Sequence, residues 1–294
     1  MELSGVREER QRFFDGGDTS TPYDEGAPPR IILDREPSTP PQRFLLRRRI
    51  GYRDRWLGDL LVPADTARFE TDLTTVPALF TWLVPKDGTH LLAALVHDGL
   101  FGAPGSPASY VSVDGHDVER VQANRVFRDA MADGGTRVVR RWLMWAAVTL
   151  ATMLLGHGTR WSAAARWRYR LAAGGTVLVI ALLGLAATLD LFDGPGPGVP
   201  WMPEGPWPVE LFTGLAGAVA IPFLLGLTWG SFWKAGVIVG IGMAVLLQVS
   251  AVIVALTGLY RAVEWVATRW PMVAAVVAAV VMAVAAVTVV VSLG

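Results

Sequence analysis

No cysteine occurs in the 294 residues, which excludes disulfides, thiol catalysis and thiolate-held metal. It leaves the compartment open, because a Cys-free chain suits any redox environment. Lysine is almost as scarce, at Lys86 and Lys234 alone, beside abundant Arg, Ala, Val and Gly. That composition is the one expected of a GC-rich bacterial genome. Net charge is absent too, with 26 basic residues against 26 acidic ones. Binding of duplex nucleic acid needs an excess of Lys and Arg on one surface, so nucleic acid is not an expected partner. The N-terminal MELSGVREERQRFFDGG lacks the apolar core of a secretory signal, and the front of the chain is expected to stay in the cytoplasm.

Charge is also missing from most of the C-terminal part. Beyond Arg170 the only cations are Lys234, Arg261 and Arg269, and the only carboxylates are Asp190, Asp193, Glu204, Glu210 and Glu264. The mean hydropathy is +0.39, high for a wholly water-soluble chain. Four stretches without Asp, Glu, Lys or Arg, at 171–189, 211–229, 235–259 and 272–293, are long enough to cross a bilayer. The second carries Pro222, which membrane helices tolerate. Residues 171–294 are therefore expected to form an all-α transmembrane bundle with the lipid bilayer as partner.

Orientation follows from charge. Residues 157–170 read as a basic, aromatic juxtamembrane linker, with Arg160, Arg166, Arg168 and Arg170 interleaved with Trp161, Trp167 and Tyr169. Such a segment suits the headgroup zone of the cytoplasmic face. The following loop, with Asp190, Asp193 and Glu204, is expected outside, and Lys234 inside. Arg261 and Arg269 would then be external, outnumbered by the cluster before Leu171. The expected topology is a multi-pass protein of the cell membrane with both termini cytoplasmic. Gly236 with Gly240, and Ala275, Ala279 and Ala283, recur at four-residue spacing and are candidates for helix packing and a homo-oligomer interface. Gln248 is the polar side chain deep in a span, expected to bond to a neighbouring helix. Pumps and ion-coupled transporters usually need ionisable groups within the membrane, so transport is disfavoured.

The front half reads differently. Residues 1–41, rich in Gly, Pro and charge, are expected to be a disordered tail. Residues 42–156 are expected to form a soluble α+β domain, short strands followed by helices. RFLLRRRIGYRD and DLLVPAD read as two strands. Thr89–Phe101 reads as a helix with Leu92, Leu95 and Val96 on one face, Thr89 as its cap and Gly102 as its stop. Asp117 is the expected cap of a helix from Val118 to about Asp133. The apolar Trp142–Leu155, shorter than a bilayer requires, is assigned to the soluble domain.

Candidate chemistry is confined to this domain, at Asp72, His97, Asp98 and the stretch Arg120–Phe127. A His-Asp pair alone does not fill a metal's coordination sphere. Ser106 and Ser109 lie in a Gly/Pro loop without nucleophile-elbow context, His116 has no evident partner, and no phosphate loop is visible.

Four blocks in order, Thr71-Asp72-Leu73-Thr74-Thr75-Val76-Pro77, Ala94-Leu95-Val96-His97-Asp98-Gly99-Leu100-Phe101, Arg120 to Met131, and Trp142-Leu143-Met144-Trp145-Ala146-Ala147-Val148, resemble the domain-of-unknown-function 1353 family. That family is common in phages and bacteria, and the resemblance covers about residues 43–155. It implies no assigned activity, but it marks a polar pattern. Asp72, His97 and Asp98 match directly and are the candidate catalytic and metal-ligating residues, for which a divalent metal is the implied cofactor. Thr75, which stands for Ser, and Arg120 and Asn124 are the candidate binding residues. Gln122 and Asn124 stand where the family has Glu and Asp, and Phe101 replaces Tyr, so two anionic positions are neutral here and cannot serve as general bases. The structural alternative has Asp72 capping the turn at Thr74-Thr75 and the His97-Asp98 pair bonding to Arg120 and Asn124, pinning two helices together. Three functions follow. The favoured one is a membrane-anchored protein with a cytoplasmic binding or scaffolding domain. The others are a metal-dependent hydrolase and an oligomeric channel or transporter.

Overall fold

The computed structural model describes residues 11–18, 20–35, 43–71, 73, 88–102, 107–192, 198–273, 275–280 and 282–283, with the backbone alone at 247, 248, 250 and 251. The expectations for Asp72, Thr75 and the Gln248 side chain lie outside the described residues. The chain divides into two units, 1–245 and 246–294.

The first unit opens with seven short strands: β1 Phe13–Asp15, β2 Leu33–Arg35, β3 Phe44–Leu46, β4 Ile50–Asp54, β5 Gly58–Val62, β6 Glu70–Thr71 and β7 Val111–Ser112. One antiparallel sheet has the order β1-β4-β5-β7 and the other β2-β3-β6. The central β4–β5 hairpin pairs Ile50 with Val62 and Asp54 with Gly58. Its turn is closed by Asp54, whose Oδ1 accepts from the N–H groups of Trp56 and Leu57 at 3.0 and 2.9 Å.

Two sequence expectations are corrected here. The stretch 1–41 is not all disordered: Phe13 and Phe14 are buried, and β1 pairs with β4 through Phe13↔Tyr52. The cause is a two-phenylalanine payload in an otherwise polar tail. The Phe14 ring lies over Gly51, where any Cβ would collide with it. RFLLRRRIGYRD is two strands in two sheets, broken at Arg47-Arg48-Arg49 because those side chains bind elsewhere. Arg48 takes both oxygens of Asp15 and one of Asp18, Arg47 takes Asp34, and Arg49 donates to the carbonyls of Pro63 and Ala64.

Three helices follow: α1 Leu91–Phe101, α2 Arg120–Asp133 and α3 Val138–Leu155. α1 and α2 pack on each other and on β4, and α1 also on β5. Leu95, Val96, Ala123, Val126, Ala130 and Met131 share one core with Ile50, Tyr52, Leu60 and Val62. Gly102 ends α1 as expected, its N–H bonding to the Asp98 carbonyl at 2.7 Å. The caps are shifted by one or two residues. His90 holds the position expected of Thr89, whose hydroxyl lies 3.3 Å from that of Thr136. Glu119 replaces Asp117 at the start of α2.

α3 lies between two environments. Met144, with Trp145 and Val148, joins the domain core, while Ala146 and Met153 join a second cluster with Ala173, Trp229 and Ala235. That second cluster belongs to α4 Ala163–Leu191, α5 Trp207–Leu227 and the start of α6 Trp233–Arg269. Ser162 caps α4 by accepting from the Ala165 N–H. Trp229, fully buried in the turn after α5, donates its indole N–H to Thr176 Oγ1 at 3.0 Å.

Gly226 and Gly236 let α5 and α6 touch backbone to backbone: a Cβ on Gly236 would lie 2.7 Å from the Trp229 ring and 2.9 Å from Gly226 Cα. A Cβ on Gly240 would meet Pro222 and Ile180. Gly236 and Gly240, assigned above to a homo-oligomer interface, thus face neighbours in their own chain. The close approach of α5 and α6 consumes the space their missing side chains leave. Ala275, Ala279 and Ala283 are exposed.

The fold class is α+β followed by apolar helices. By length and composition three helices can cross a membrane, Val138–Leu155, Ala163–Leu191 and Trp207–Leu227. The bent pair Val252–Arg269 and Pro271–Val280, with 118° between its parts, brings the number to four. In the second unit Val252, Leu256, Leu259, Val263 and Val277 are all more than half exposed.

Candidate functional site

The side chain of His97 leaves α1 toward α2. Its Nε2 lies 3.0 Å from Asn124 Oδ1, an oxygen that can only accept, so Nε2 carries the ring proton. The Asn124 amide nitrogen donates to Thr152 Oγ1 at 2.8 Å, and that hydroxyl donates to the Val148 carbonyl at 2.8 Å. The Asn124 nitrogen also donates to the Val148 carbonyl at 3.5 Å, and the relay runs in one direction from α1 through α2 to α3. The ring packs against Phe127 at 4.8 Å and Phe101 at 6.1 Å between centroids. Burial holds His97 well below an ordinary histidine, down to about 4; the Asn124 bond works against this and the Arg120 charge with it. The imidazole is therefore neutral at physiological pH.

Asp98 turns away from it. Adjacent helical residues point about 100° apart, and Asp98 Oδ2 accepts from Thr71 Oγ1 at 2.8 Å. The same Thr71 oxygen accepts from the Leu73 N–H at 2.9 Å. Arg120 lies flat on Phe101, 3.6 Å from ring to guanidinium carbon, and donates to the His157 carbonyl at 3.3 Å. Burial lowers its pKa to about 10. Of the expected pairings, His97 with Asn124 is present, whereas Asp98 and Arg120 bond to other groups. Among the described residues no three His, Asp or Glu side chains meet as a metal site. None bonds to His97 Nδ1 either, the ring nitrogen whose lone pair is open for a ligand.

Gln122 has a local role. As the third residue of α2 its Oε1 accepts from the Glu119 N–H at 2.9 Å, half of a capping box that Glu or Gln serves equally. Residues 50–148, from β4 into α3, match the family model described as "Protein of unknown function (DUF1353)". This stretch is a DUF1353 domain. No curated protein matches the chain, and no solved structure does.

The strongest polar contacts of the DUF1353 domain were not read from sequence. Arg125 on α2 binds both oxygens of Asp54 at 2.8 and 2.9 Å, with its guanidinium 4.5 Å from the Trp56 ring. Burial alone would raise the Asp54 carboxyl; Arg125 and the Trp56 and Leu57 N–H groups outweigh it and hold the group ionised. At the last residue of α2, Asp133 receives the Tyr52 hydroxyl at 2.9 Å and a two-point contact from Arg55. Only Thr152 left a trace in the sequence, as a hydroxyl inside an apolar run. An open groove of about 420 Å³ on this domain is lined by Arg12, Arg53, Arg55, Asp54, Asp59 and Asp114, among others, and by none of the predicted site residues.

Proposed function

We propose that this chain is a membrane-anchored protein whose DUF1353 domain is a binding or scaffolding module on the cytoplasmic side, and that His97, Asn124 and Thr152 are structural. The relay from His97 to Thr152 carries this reading. It satisfies three polar side chains internally and ends on α3, the helix between the domain and the apolar helices.

The position of α3 supports an anchor built from α4 onward. The Leu154 side chain lies against Gly174 and that of Leu143 against Gly242. Each glycine is roughly 15 Å into its helix. Those helices start at a common end, because Arg168 rests on Gly230 and Trp161 and Tyr169 stack with Phe232. A helix touching both at similar depth runs across them, and α2 packs on it as well. Arg166, Arg168, Arg170 and Lys234 mark that end, while Asp190, Glu204 and Glu210 mark the other ends of α4 and α5, so positive charge faces the cytoplasm.

A second reading, a metal-dependent hydrolase using Asp72, His97 and Asp98, draws on Leu73. Its φ of +70° is a conformation leucine rarely adopts, and such outliers gather at active sites. Metal analysis of the full-length protein in detergent separates the readings. The scaffold reading expects far less than one divalent ion per chain, unchanged in His97→Ala. One ion per chain, lost in His97→Ala, would establish the hydrolase site instead.

A further inference from the structure

We propose that the Arg120 side chain is the anchor of a carboxylate-binding site on the DUF1353 domain; this rests on the binding-module reading above and gives its ligand a chemistry. Arg120 is only 7 % exposed. Its side chain is held between the Phe101 ring, 3.6 Å from the guanidinium carbon, and the turn that leads from α3 toward α4. In that turn a Cβ on Gly158 would come within 3.6 Å of Arg120 Cβ and 3.7 Å of the Phe101 ring.

A charge this deep is ordinarily paired. Arg120 makes one side-chain hydrogen bond, from Nη1 to the His157 carbonyl at 3.3 Å, and no carboxylate among the described residues engages it. The Phe101 face attracts the cation but carries no charge to cancel it. Asp117 and Glu119, which precede Arg120 in the chain, both hold Arg160 instead, at 2.7 and 2.9 Å. The Arg120 backbone N–H is used as well, bonding to the Gly158 carbonyl at 3.0 Å, so the guanidinium alone is left to offer donors.

Geometry selects the ligand. With Nη1 taken, the remaining edge carries Nε–H and Nη2–H, two parallel donors that match the two oxygens of a carboxylate. The same edge grips a carboxylate twice elsewhere in this fold. Arg48 donates Nε–H and Nη2–H to the two oxygens of Asp15, both at 2.7 Å, and Arg53 to those of Asp59 at 2.8 and 2.9 Å. Neither of these Arg120 nitrogens is both buried and unbonded, so solvent reaches the edge and a ligand can too. One cation balances one negative charge. A phosphate dianion would keep an excess charge beside the Arg160 group, where one cation faces two carboxylates. A small acid and the C-terminus of a peptide present the same two oxygens, and the test separates them.

The test uses the full chain in detergent at neutral pH, with its histidines isotope-labelled for NMR. His97 is the reporter, because its ring stacks on Phe101 at 6.1 Å and feels the Arg120 charge. Sodium acetate should move the His97 ring resonances saturably. Sodium chloride should not, nor should acetamide, which has the shape of acetate without its charge. Arg120→Lys keeps the cation but loses the fork, and should weaken acetate by at least about tenfold. Arg120→Gln should abolish the response, and Arg68→Gln, at a side chain 90 % exposed, should change nothing. N-acetyl-triglycine binding at least roughly tenfold more tightly than acetate, an advantage lost on amidating its C-terminus, assigns the carboxylate to a peptide end; equal binding assigns it to a small acid. A His97 ring that acetate moves no more than chloride or acetamide does would overturn the site, and this comparison is made on the unaltered chain, whether or not Arg120→Gln folds. That result defeats this inference alone; stoichiometric zinc binding that moves the ring instead defeats the binding-module reading as well.

Discussion

The DUF1353 domain and the helices after it are held together by different means. In the domain, Arg-carboxylate contacts join distant segments, Arg55 with Asp133 and Arg125 with Asp54, and brace the β4–β5 hairpin through Arg53 and Asp59; just before it Arg48 binds Asp15. Among the described residues of α4, α5 and α6 there is no ion pair. Helix contacts there are made by missing side chains, at Gly226, Gly236 and Gly240, and by one indole-hydroxyl bond. Threonine hydroxyls turn back to carbonyls of their own helices, as Thr213 does to Val209 and Thr257 to Ile253. On the membrane-anchored reading, the difference is one of solvent. Water rewards covering apolar surface and tolerates clamped charge, whereas hydrocarbon gives no drive to bury Leu or Val and leaves close backbone packing to hold helices together.

Substitutions of each kind break the comparison at its two ends. Trp229→Ala removes the fully buried ring between α4 and α6 and should cost about 3–5 kcal/mol, read as thermal unfolding in detergent. Asp54→Ala should cost about 2–4 kcal/mol, because it leaves Arg125 with Asp129 alone, at 3.4 Å, and frees the two N–H groups of the hairpin turn. The domain alone should melt early in Asp54→Ala, with α4–α6 unaffected. A single shared transition in both variants would mean that the two regions unfold as one.

The domain should also respond to pH where the helices do not. His97 sits at about 4 in the folded chain against 6.5 unfolded, so between these values the unfolded chain binds the extra proton. Its contribution is complete above pH 6.5 and is lost as pH falls toward 4, up to ~3 kcal/mol for a shift of this size. Asn124→Asp places a carboxylate on Nε2 and should raise the His97 pKa, flattening that loss; an NMR titration of the ring reads it directly.

Smaller effects sharpen the contrast. Gly236→Ala should cost about 1–3 kcal/mol by forcing α5 and α6 apart. Thr71→Val, which removes the hydroxyl bonded to Asp98 and to the Leu73 N–H, should cost about 1–2 kcal/mol.

Local pattern was legible in the sequence and distant pairing was not. Leu92, Leu95 and Val96 repeat at helical spacing, and Gly102 marks the stop, so α1 could be read to within two residues. β1 could not, because three residues of a polar tail become a strand only by pairing with β4, 39 residues away at Phe13↔Tyr52 and beyond any local period. Arg47 to Arg49 read as part of a strand because nothing local reveals that each guanidinium binds a different partner. His97 and Asn124 were expected to meet, and do. Gln122 and Asn124 looked like lost ligands when judged by charge; in place, one caps a helix and the other passes a hydrogen bond from His97 to Thr152. For α3, apolarity says only that the helix avoids water. It does not say whether lipid or protein covers it.

The absence of cysteine makes the central claim directly measurable by labelling single introduced cysteines with a membrane-impermeant maleimide in sealed, oriented vesicles. Asp114→Cys in the domain should react from one side only, Glu204→Cys from the opposite side only, and Leu182→Cys, in the middle of α4, from neither until detergent is added. Reaction of Leu182→Cys in intact vesicles, or of Asp114→Cys and Glu204→Cys from the same side, would contradict a water-soluble domain anchored by membrane-crossing helices.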